Sequence, residues 1–275
     1  MTLTPTRPIL RYHGGKWRLA PWIISHFPPH RVYVEPFGGA ASVLLRKARA
    51  YGEVYNELSG EIVNLFRVVR DQGEELRRAL YLTPFAREEY DLSFAVSEDP
   101  VEQARRTVVR SFMGFGSNAL QRSVKSGFRS NSNRSGTTPS HDWANFPDAL
   151  VAIIERLRGV VLECKDARAV MEQHDGPGTL HYCDPPYVHE TRSQAMHGHH
   201  GYDHEMTDQD HVELAEFLHG LEGMVVLSGY GCQLLEELYK GWTRVVKRAR
   251  GDCNARRTEV LWLSPNAVRQ GRLWG

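Results

Sequence analysis

The sequence predicts an α/β protein built on one mostly parallel seven-stranded sheet that ends in an antiparallel hairpin. Seven short β-rich runs alternate with amphipathic helical patterns along the 275 residues, which is typical of parallel sheets joined by crossover helices. A glycine-rich turn follows the first run, and two prolines end the fourth, Thr179 to Cys183. Open sheets of this class hold ligands outside the carboxyl ends of their strands, so these two places are the first candidates for a site.

Length and composition are those of an ordinary globular chain. Its 275 residues are long enough for one sizeable domain with an insertion, or for two small domains. The content of 41% hydrophobic and 24% charged residues is typical of globular proteins. No apolar stretch approaches the roughly 18 residues needed to cross a bilayer, and Met1 to Leu10 lacks the apolar core of a secretory signal. We therefore expect a cytoplasmic protein. The four cysteines have no CxxC spacing, which favours reduced thiols over disulfides or zinc ligands.

The first motif is Tyr12-His13-Gly14-Gly15-Lys16, which precedes an amphipathic run from Leu19 to Phe27. Two glycines before a lysine form either a plain turn or a loop that brings the backbone close to a bound ligand. The residues alone leave both interpretations open.

The second motif joins a strand to a glycine turn. Arg31 to Glu35 is β-rich, and Glu35-Pro36-Phe37-Gly38-Gly39-Ala40-Ala41-Ser42 leads into the apolar Val43 to Leu45. This pattern predicts a strand, a turn and the start of a helix, an arrangement that lets a ligand approach a helix N-terminus. The G-x-G-x-x-G spacing of dinucleotide-binding turns is absent, so a nicotinamide cofactor is disfavoured.

A further predicted strand, Gly52 to Asn56, ends at Glu57, about 20 residues after the turn. A carboxylate at this spacing can accept from both hydroxyls of a ribose, although a lone glutamate is more often a solvated loop residue. We favour the ribose role. The helical pattern that follows has its core residues at the i, i+3, i+4, i+7 spacing, namely Ile62, Leu65, Phe66 and Val69.

From Gln103 through His141 the chain has seven cations and no aspartate or glutamate. Two helical patterns occupy roughly Pro84 to Arg110, and the rest of the window is rich in glycine, serine and asparagine. A run of charge is usually a solvated face, but this combination suits phosphates and base edges, so we expect nucleic-acid contact. The seven cations are Arg105, Arg106, Arg110, Arg122, Lys125, Arg129 and Arg134.

Regular structure is expected to resume with a helix over Asn145 to Leu157 and a strand over Val160 to Cys164. Asp166 follows, at the start of a predicted helix over Ala167 to Gln173. Its carboxylate can cap that helix or, if it faces a cofactor pocket, accept from an adenine amine. The sequence leaves the two roles equally open.

Asp184-Pro185-Pro186-Tyr187 follows directly on the strand Thr179 to Cys183. Neither proline can donate to a sheet, so the chain must leave the sheet edge and turn. A carboxylate, exposed carbonyls and a tyrosine ring are thereby placed together at the carboxyl end of a strand. Such a group suits a flat, amino-bearing ring, because the oxygens accept from the amine while the tyrosine stacks on the ring face.

A polar stretch with five histidines runs from His189 to His204. No cysteine lies in the stretch to complete a tetrahedral set, and we expect no metal site. We interpret the stretch as a mobile flap over the site.

The remaining pattern completes the sheet. The spacing of Thr207 and Asp210 predicts a helix that begins with a capping box. A strand over Met224 to Ser228 and a helix over Cys232 to Leu238 follow. The closing hairpin is predicted at Thr243 to Lys247 and Thr258 to Leu263.

Taken in order, these motifs resemble those of the Dam-type (D12 class) DNA adenine N6-methyltransferases over nearly the whole chain. Tyr12 to Lys16 resembles the N-terminal cofactor motif of that family, Glu35 to Ala40 its glycine-rich turn, Asp184 to Tyr187 its catalytic tetrad and Arg256 to Leu261 its closing motif. The resemblance implies a Rossmann-like AdoMet-dependent methyltransferase fold, S-adenosyl-L-methionine (AdoMet) as cofactor, and double-stranded DNA as partner without an obligate protein partner. It also implies a bacterial or phage-encoded enzyme.

The resemblance further implies domains and site residues. Residues 1–74 and 156–275 would form the AdoMet-binding catalytic domain, and residues 75–155 a small, mostly helical target-recognition insertion. The implied catalytic residues are Asp184, Pro185, Pro186 and Tyr187. The implied cofactor-binding residues are Tyr12, Gly14, Lys16, Glu35, Pro36, Phe37, Gly38, Gly39, Ala40, Ser42, Asn56, Glu57, Asp166 and Asp184. The implied DNA-binding residues are Arg105, Arg110, Asn118, Arg122, Lys125, Arg129, Asn131 and Arg134.

The chain departs from the family pattern in places. Tyr12 stands where relatives often have tryptophan, and Ala41 where they often have a further glycine; both departures are mild. The recognition insertion does not closely resemble that of the GATC-reading enzymes, whereas Ser111 to Gly116 and Gly127 to Asn131 resemble phage-encoded members, some with relaxed specificity. We therefore expect a short or relaxed recognition site.

Two alternatives stay open at the level of sequence. An amino methyltransferase acting on cytosine N4 or on RNA would use a similar site, although cytosine-N4 enzymes more often have serine where this chain has Asp184. A non-catalytic DNA-binding relative would keep the fold, but here the tetrad and the cofactor turns are intact.

Overall fold

The structure, a computed structural model, describes residues 3–116, 126–131, 133, 136–191, 205–250 and 256–272, with the backbone alone for 249–250, 256–257 and 272. The β-rich runs of the sequence form one seven-stranded sheet. Its strands are β1 Val32–Glu35, β2 Gly52–Asn56, β3 Val160–Glu163, β4 Thr179–Cys183, β5 Met224–Tyr230, β6 Thr243–Arg250 and β7 Arg256–Leu263.

The strands lie in the order β3-β2-β1-β4-β5-β7-β6. Strand β1 pairs in parallel with β2 and β4, and β4 pairs in parallel with β5, whereas β7 runs antiparallel to both β5 and β6. The mostly parallel sheet with antiparallel C-terminal strands is as the sequence predicts. Because the chain runs from β1 to one side and from β4 to the other, the strand order reverses between β1 and β4. Such a reversal leaves a crevice at the carboxyl ends of the two strands.

Eleven helices are found among the described residues, and none of them is long and apolar enough to cross a membrane. The capping box predicted before α9 is present: the Thr207 hydroxyl accepts from the Asp210 N–H, and the Asp210 carboxylate accepts from the Thr207 N–H at 2.7 Å. The helices are α1 Ala20–Ile24, α2 Gly60–Asp71, α3 Gly73–Leu82, α4 Arg87–Leu92, α5 Pro100–Met113, α6 Pro139–Ala144, α7 Phe146–Leu157, α8 Ala167–His174, α9 Asp208–His219, α10 Gln233–Leu238 and α11 Pro265–Arg272.

One compact unit consists of Met1–Ala20, Gly39–Lys47 and Ser59–Leu162. Its centre is helical, because α2, α3, α5 and α7 pack on one another. The stripe predicted for α2 is buried throughout, at Ile62, Leu65, Phe66 and Val69. Burial of a full helical face stabilises the unit independently of the sheet.

The second unit consists of Pro21–Gly38, Ala48–Leu58 and Glu163–Gly275. Its main core cluster combines Leu227 of β5 and Trp262 of β7 with Met171 of α8 and Leu214 of α9, each at most 3% exposed. Helices α8, α9 and α10 all contribute to this cluster. Close packing of this kind fixes where β4 and β5 end, which decides the position of the segments that follow them.

Two local differences from the predicted pattern have identifiable causes. No regular helix follows the glycine turn where a helix start is predicted: residues 42–46 form turns, although the Leu45 N–H donates to the Ala41 carbonyl at 2.9 Å. Ala41 itself has a φ of 51°, which a right-handed helix does not allow. Helix α3 was not predicted. A Cβ on its first residue, Gly73, would lie 2.6 Å from Cγ1 of Ile154, so this helix start depends on close approach to α7.

Candidate active site

Acidic residues follow four neighbouring strands of the sheet. Across the sheet they are Asp166 after β3, Glu57 after β2, Glu35 at the end of β1 and Asp184 after β4. Because β2, β1 and β4 are parallel, their carboxyl ends lie at the same edge. The reversal of strand order falls between Glu35 and Asp184, so the tetrad begins at the place where sheets of this kind bind ligands.

A buried asparagine ties three of these strand ends together. The Nδ2 of Asn56 donates to the carbonyl oxygens of Pro36 (2.9 Å) and Lys165 (3.0 Å), and its Oδ1 accepts from the Lys165 N–H at 3.0 Å. The Asn56 carbonyl accepts from the Gly38 N–H at 2.8 Å. The wholly buried Asn56 side chain thus holds the glycine turn and the segment before Asp166, while the predicted contact of Asn56 with the cofactor stays a prediction.

The glycine turn passes directly against an aromatic ring of β2. A Cβ at Gly38 would lie 2.1 Å from Cε2 of Tyr55, whose side chain is fully buried. No real Cβ approaches a ring so closely, so only glycine allows the turn to follow this path. The packing of the turn itself therefore requires glycine at position 38.

In the first unit, the N-terminal motif packs against the second half of the turn. Gly39 has a φ of 48°, and a Cβ there would lie 2.9 Å from Cε1 of Tyr12. The Lys16 ammonium is buried and donates to the Gly14 carbonyl at 2.9 Å. Ala40 and Ser42 are also buried. Residues 12–15 form a turn, in which the Gly15 N–H donates to the Tyr12 carbonyl at 3.2 Å, and the predicted cofactor residues 12–16 and 39–42 lie together; their contact with the cofactor stays a prediction.

The carboxyl group at the end of β1 is held by its own strand. Glu35 is buried and accepts from the Tyr33 hydroxyl at 2.7 Å. Burial, followed by the nearby charge of Glu35, raises the pKa of Tyr33 well above its usual value, so this hydroxyl stays a donor. The bond fixes the direction of the Glu35 carboxyl group at the reversal point.

Asp166 is the N-cap of α8. Its Oδ1 accepts from the backbone N–H groups of Arg168 (2.9 Å) and Ala169 (3.4 Å), and the side chain keeps 57% of its surface exposed. The capping role, one of the two that the sequence allowed, is thus observed. A contact with a cofactor adenine stays a prediction.

The tetrad leaves the sheet immediately after Cys183, as its prolines require. Asp184 is partly exposed, whereas Tyr187 is 8% exposed. The Tyr187 hydroxyl donates to Oε2 of Glu259 on β7 at 3.0 Å and lies 3.1 Å from the Ser228 Oγ on β5. The edge of Tyr230 meets the ring, with centroids 4.6 Å apart and an angle of 78° between the planes. The ring is therefore held in one orientation by two neighbouring strands.

Burial raises the pKa of Tyr187 well above its usual value, and the charges of Asp184 and Glu259 act in the same direction. The phenol consequently stays protonated at neutral pH and remains the donor to Glu259. The same two causes, burial and the charge of Asp184, raise the pKa of Cys183.

Comparison with known families matches residues 12–251 to the family model of the D12 class N6 adenine-specific DNA methyltransferases. The chain belongs to this family. D12 class enzymes transfer a methyl group from AdoMet to the N6 amino group of adenine in DNA, and this is the reaction of the present enzyme. The family therefore supports methylation of adenine N6 in DNA over the alternatives of cytosine N4, RNA or a non-catalytic protein.

Relatives of known function agree with this assignment. The chain is 27% identical to a DNA adenine methylase of Salmonella typhi and 26% identical to one of Escherichia coli K12, with 85% of this chain and 84% of each relative covered. It is 28% identical to the type II methyltransferase M1.LlaDCHI of Lactococcus lactis subsp. cremoris, with the same coverage.

Two arginines expected to contact DNA lie in ion pairs inside the helical unit of the methyltransferase. Arg110 is wholly buried and pairs with Glu61. Arg105 is 9% exposed and lies 2.6 Å from both Glu89 and Glu102. Because these carboxylates already neutralise both guanidinium groups, we do not include either arginine among the proposed DNA contacts.

Two of the other expected DNA contacts, Arg129 and Asn131, follow an antiparallel bridge between Gly114 and Phe128 in the same unit. The Phe115 N–H donates to the Gly127 carbonyl at 2.8 Å, and the Arg129 N–H donates to the Met113 carbonyl at 2.8 Å. Asn131 follows on the exposed surface. The remaining predicted contacts, Asn118, Arg122, Lys125 and Arg134, and residues 192–204 of the predicted histidine-rich flap, lie outside the described residues.

Sequence reasoning gave no role to the residues that hold Tyr187. Glu259 was noted only within the closing motif, and Ser228 only as the end of a strand. A polar residue inside an otherwise apolar strand was the available signal, since buried polar groups require partners. Which partner each residue has depends on the pairing of β5 with β7, and that pairing is a tertiary feature.

Proposed function

We propose that the methyltransferase receives an adenine turned out of double-stranded DNA between Asp184 and Tyr187 and presents the amino group of that base for methylation. One observation carries this proposal. Asp184 follows β4 at the reversal of strand order, while Tyr187, three residues later, is pinned by Ser228 and Glu259. Carboxylate and ring thus belong to one short segment held at both ends.

The residues around the turn fit the AdoMet that the family uses. In the second unit, the turn from Glu35 to Gly38 and the partly exposed Glu57 and Asp166 would hold it, because these carboxylates can accept from ribose hydroxyls and from an adenine amine. When bound, AdoMet supplies a methyl group made electrophilic by its positively charged sulfur.

Asp184 and the carbonyl of Pro185 would act on the amino group of the base. The adenine amino nitrogen is a poor nucleophile, because its lone pair is delocalised into the ring. Two acceptors that bind its two hydrogens favour a pyramidal nitrogen with a localised lone pair. The negative charge of Asp184 also stabilises the positive charge that develops on nitrogen during transfer, so no strongly shifted general base is required.

Tyr187 would hold the base by stacking. An aromatic side chain under a base contributes about 1–3 kcal/mol, which offsets part of the cost of unstacking the base from the duplex. The edge of Tyr230 and the hydroxyl bond to Glu259 fix the ring plane before the base arrives. A ring fixed in advance loses less entropy on binding than one that must be ordered.

We further propose that residues 75–155 choose the target sequence, and that the recognition site is short or relaxed. The proposed contacts are Asn118, Arg122, Lys125, Arg129, Asn131 and Arg134. The surrounding segment combines cations with amides and hydroxyls, which suits phosphates and base edges. Residues 1–74 and 156–275 would then carry catalysis, and the enzyme would act in the cytoplasm without an obligate protein partner. Mapping methylated adenines on a plasmid exposed to the protein tests the specificity directly.

The central test is Asp184→Asn, which keeps the shape of the side chain and removes its charge. Methyl transfer from labelled AdoMet to plasmid DNA should fall by about 10²-fold or more, the scale on which single preorganised groups act, while AdoMet binding stays measurable. Asp208→Asn, at an exposed position in the first turn of α9, is the matched control and should retain wild-type transfer. Equal rates for the two variants would refute the role of Asp184.

A further inference from the structure

The C-terminal hairpin of the second unit carries a cluster of positive charge to which neither the cofactor site nor the tetrad gives a role. Between Arg244 and Arg257 the chain has six cations and a single acidic residue, Asp252, although the whole protein has a net charge of only +1. The cations are Arg244, Lys247, Arg248, Arg250, Arg256 and Arg257.

The register of the strands places most of these cations beyond the sheet. Tyr230, the last residue of β5, pairs with Glu259 of β7. The three residues of β7 that precede Glu259 pair with β6 alone: Thr258 with Arg248, Arg257 with Ala249, and Arg256 with Arg250. The two strands therefore continue as a ribbon past the end of β5 by about 10 Å, at 3.3 Å per residue.

The ribbon leaves the sheet at the same edge as the tetrad. Strands β4 and β5 are parallel, so the carboxyl end of β5 lies beside the carboxyl end of β4, where Asp184 begins. Lys247 pairs with Glu259, the residue that accepts from the Tyr187 hydroxyl. We call residues 247–250 and 256–258 the basic ribbon.

The described cations differ in their surroundings. Arg244, which lies before the ribbon, pairs with Glu236 at 2.7 Å, and the Lys247 ammonium lies 5.5 Å from the centre of the Trp22 ring. Arg248 is exposed on the outermost strand of the sheet, and no described carboxylate pairs with it. An arginine in this setting can offer its guanidinium group to a phosphate.

We propose that the basic ribbon binds the phosphate backbone of duplex DNA beside the target adenine, independently of base sequence. The proposal rests on the proposed function for the site at which the adenine is methylated. Charge complementarity identifies the occupant, since a duplex presents a dense row of phosphates to any protein that holds one of its bases. Placed at the carboxyl edge of β5, the ribbon orients DNA against the tetrad, whereas sequence is read elsewhere.

Cations on an outer strand have an alternative role, because they prevent edge-to-edge association of sheets. The two roles differ in their salt dependence. A phosphate contact releases condensed counterions, and its loss lowers the slope of log Kd against log salt concentration by about 0.9. A charge that only protects a sheet edge leaves that slope unchanged.

The test compares Arg248→Ala with Lys240→Ala. Lys240 is an exposed cation in the turn before β6, at the opposite end of that strand from the ribbon. Fluorescence anisotropy with a labelled duplex made only of G·C pairs, titrated over a range of NaCl concentrations, isolates binding that does not involve adenine. We expect Arg248→Ala to lose about one unit of slope and to weaken binding several-fold, while Lys240→Ala matches the wild type.

One further variant and one further measurement make the result decisive. Arg248→Lys keeps the charge and should keep the wild-type slope, while AdoMet affinity reports whether Arg248→Ala is folded. A wild-type slope for folded Arg248→Ala overturns the proposal, as does an equal loss in Lys240→Ala. Failure of the proposed function would look different: the wild-type protein would bind the duplex with its full salt slope but transfer no methyl group to adenine.

Discussion

Replacing Tyr187 by phenylalanine tests whether the hydroxyl bond to Glu259 positions the ring. The change keeps the aromatic face and removes the O–H group that lies 3.0 Å from a carboxylate with 7% of its surface exposed. A hydrogen bond to a charged group contributes about 1.5–3 kcal/mol, so the free energy of unfolding should fall by an amount of this size. Chemical denaturation of wild type and variant measures it.

The same substitution should reduce the rate of methylation more than the affinity for AdoMet. A ring that shifts by a fraction of an ångström moves the amino nitrogen of the stacked base relative to the methyl group. We therefore expect kcat to fall by about 10-fold, within the range known for misplaced reactants. Tyr187→Ala also removes stacking worth about 1–3 kcal/mol, which weakens capture of the base by roughly 5- to 150-fold. A duplex with 2-aminopurine at the target adenine reports that capture by fluorescence.

A double-mutant cycle decides whether Glu259 acts through Tyr187. Each of Tyr187→Phe and Glu259→Gln disturbs the same bond, so their effects on the free energy of unfolding and on kcat should not add. Tyr239→Phe, at another buried tyrosine of the second unit, is the control and should leave capture of the base unchanged. If the effects of the pair add within about 0.5 kcal/mol, the coupling between hydroxyl and carboxylate is refuted.

The pH dependence of stability gives an independent check that the Tyr187 hydroxyl is buried. Burial raises the pKa of Tyr187 above its ordinary value of 10.0, so the folded protein retains this proton more strongly than the unfolded chain. The resulting stability is fully present below the unfolded pKa and is lost as the pH rises from about 10 through the folded pKa. Tyr187→Phe should lose less stability over this alkaline range than the wild type.

The remaining predictions concern the glycine turn and the helical unit. Gly38→Ala should lower the free energy of unfolding by about 1–3 kcal/mol and AdoMet affinity at least several-fold, because the new Cβ would lie 2.1 Å from the buried Tyr55 ring. Gly60→Ala is the control: a Cβ there has nothing within 4 Å, so its free energy of unfolding should stay within about 0.5 kcal/mol of the wild type. Denaturation and calorimetry would contradict this if the two variants behaved alike. Arg110→Ala should destabilise the protein by about 3–5 kcal/mol, by breaking a buried ion pair, and leave the salt dependence of DNA binding unchanged. A stable Arg110→Ala protein with a reduced salt slope would instead identify Arg110 as a DNA contact.

Local signals predicted the elements of the sheet and the position of the tetrad. Strand β4 and the turn after it follow from an apolar run and two prolines, and the capping box of α9 follows from the spacing of Thr207 and Asp210. Each depends on residues a few positions apart, so the sequence contains the whole cause. Asp166 lies at the limit of such reasoning, because its capping role is local whereas a contact with a cofactor is not.

The charged middle segment shows what a charge pattern along the sequence does not contain. Arg105 and Arg110 are predicted as DNA contacts because both fall in the window from Gln103 to His141, which has no acidic residue. Their partners, Glu61 and Glu89, belong to other helices, and Glu102 lies just before the acid-free window begins. A count of charges along the chain cannot detect an ion pair between helices.

By itself the sequence determined the alternation of strands and helices, the turn at Gly38 and the tetrad after β4, because periodicity, glycine and proline act through the local backbone. Only the tertiary structure decided what surrounds the tetrad. The pairing of β5 with β7 places Ser228 and Glu259 at the Tyr187 hydroxyl, and Asn56 joins three strand ends from positions far apart in the chain. Such contacts depend on which strands are neighbours and in which register, and both are set by packing of the whole sheet.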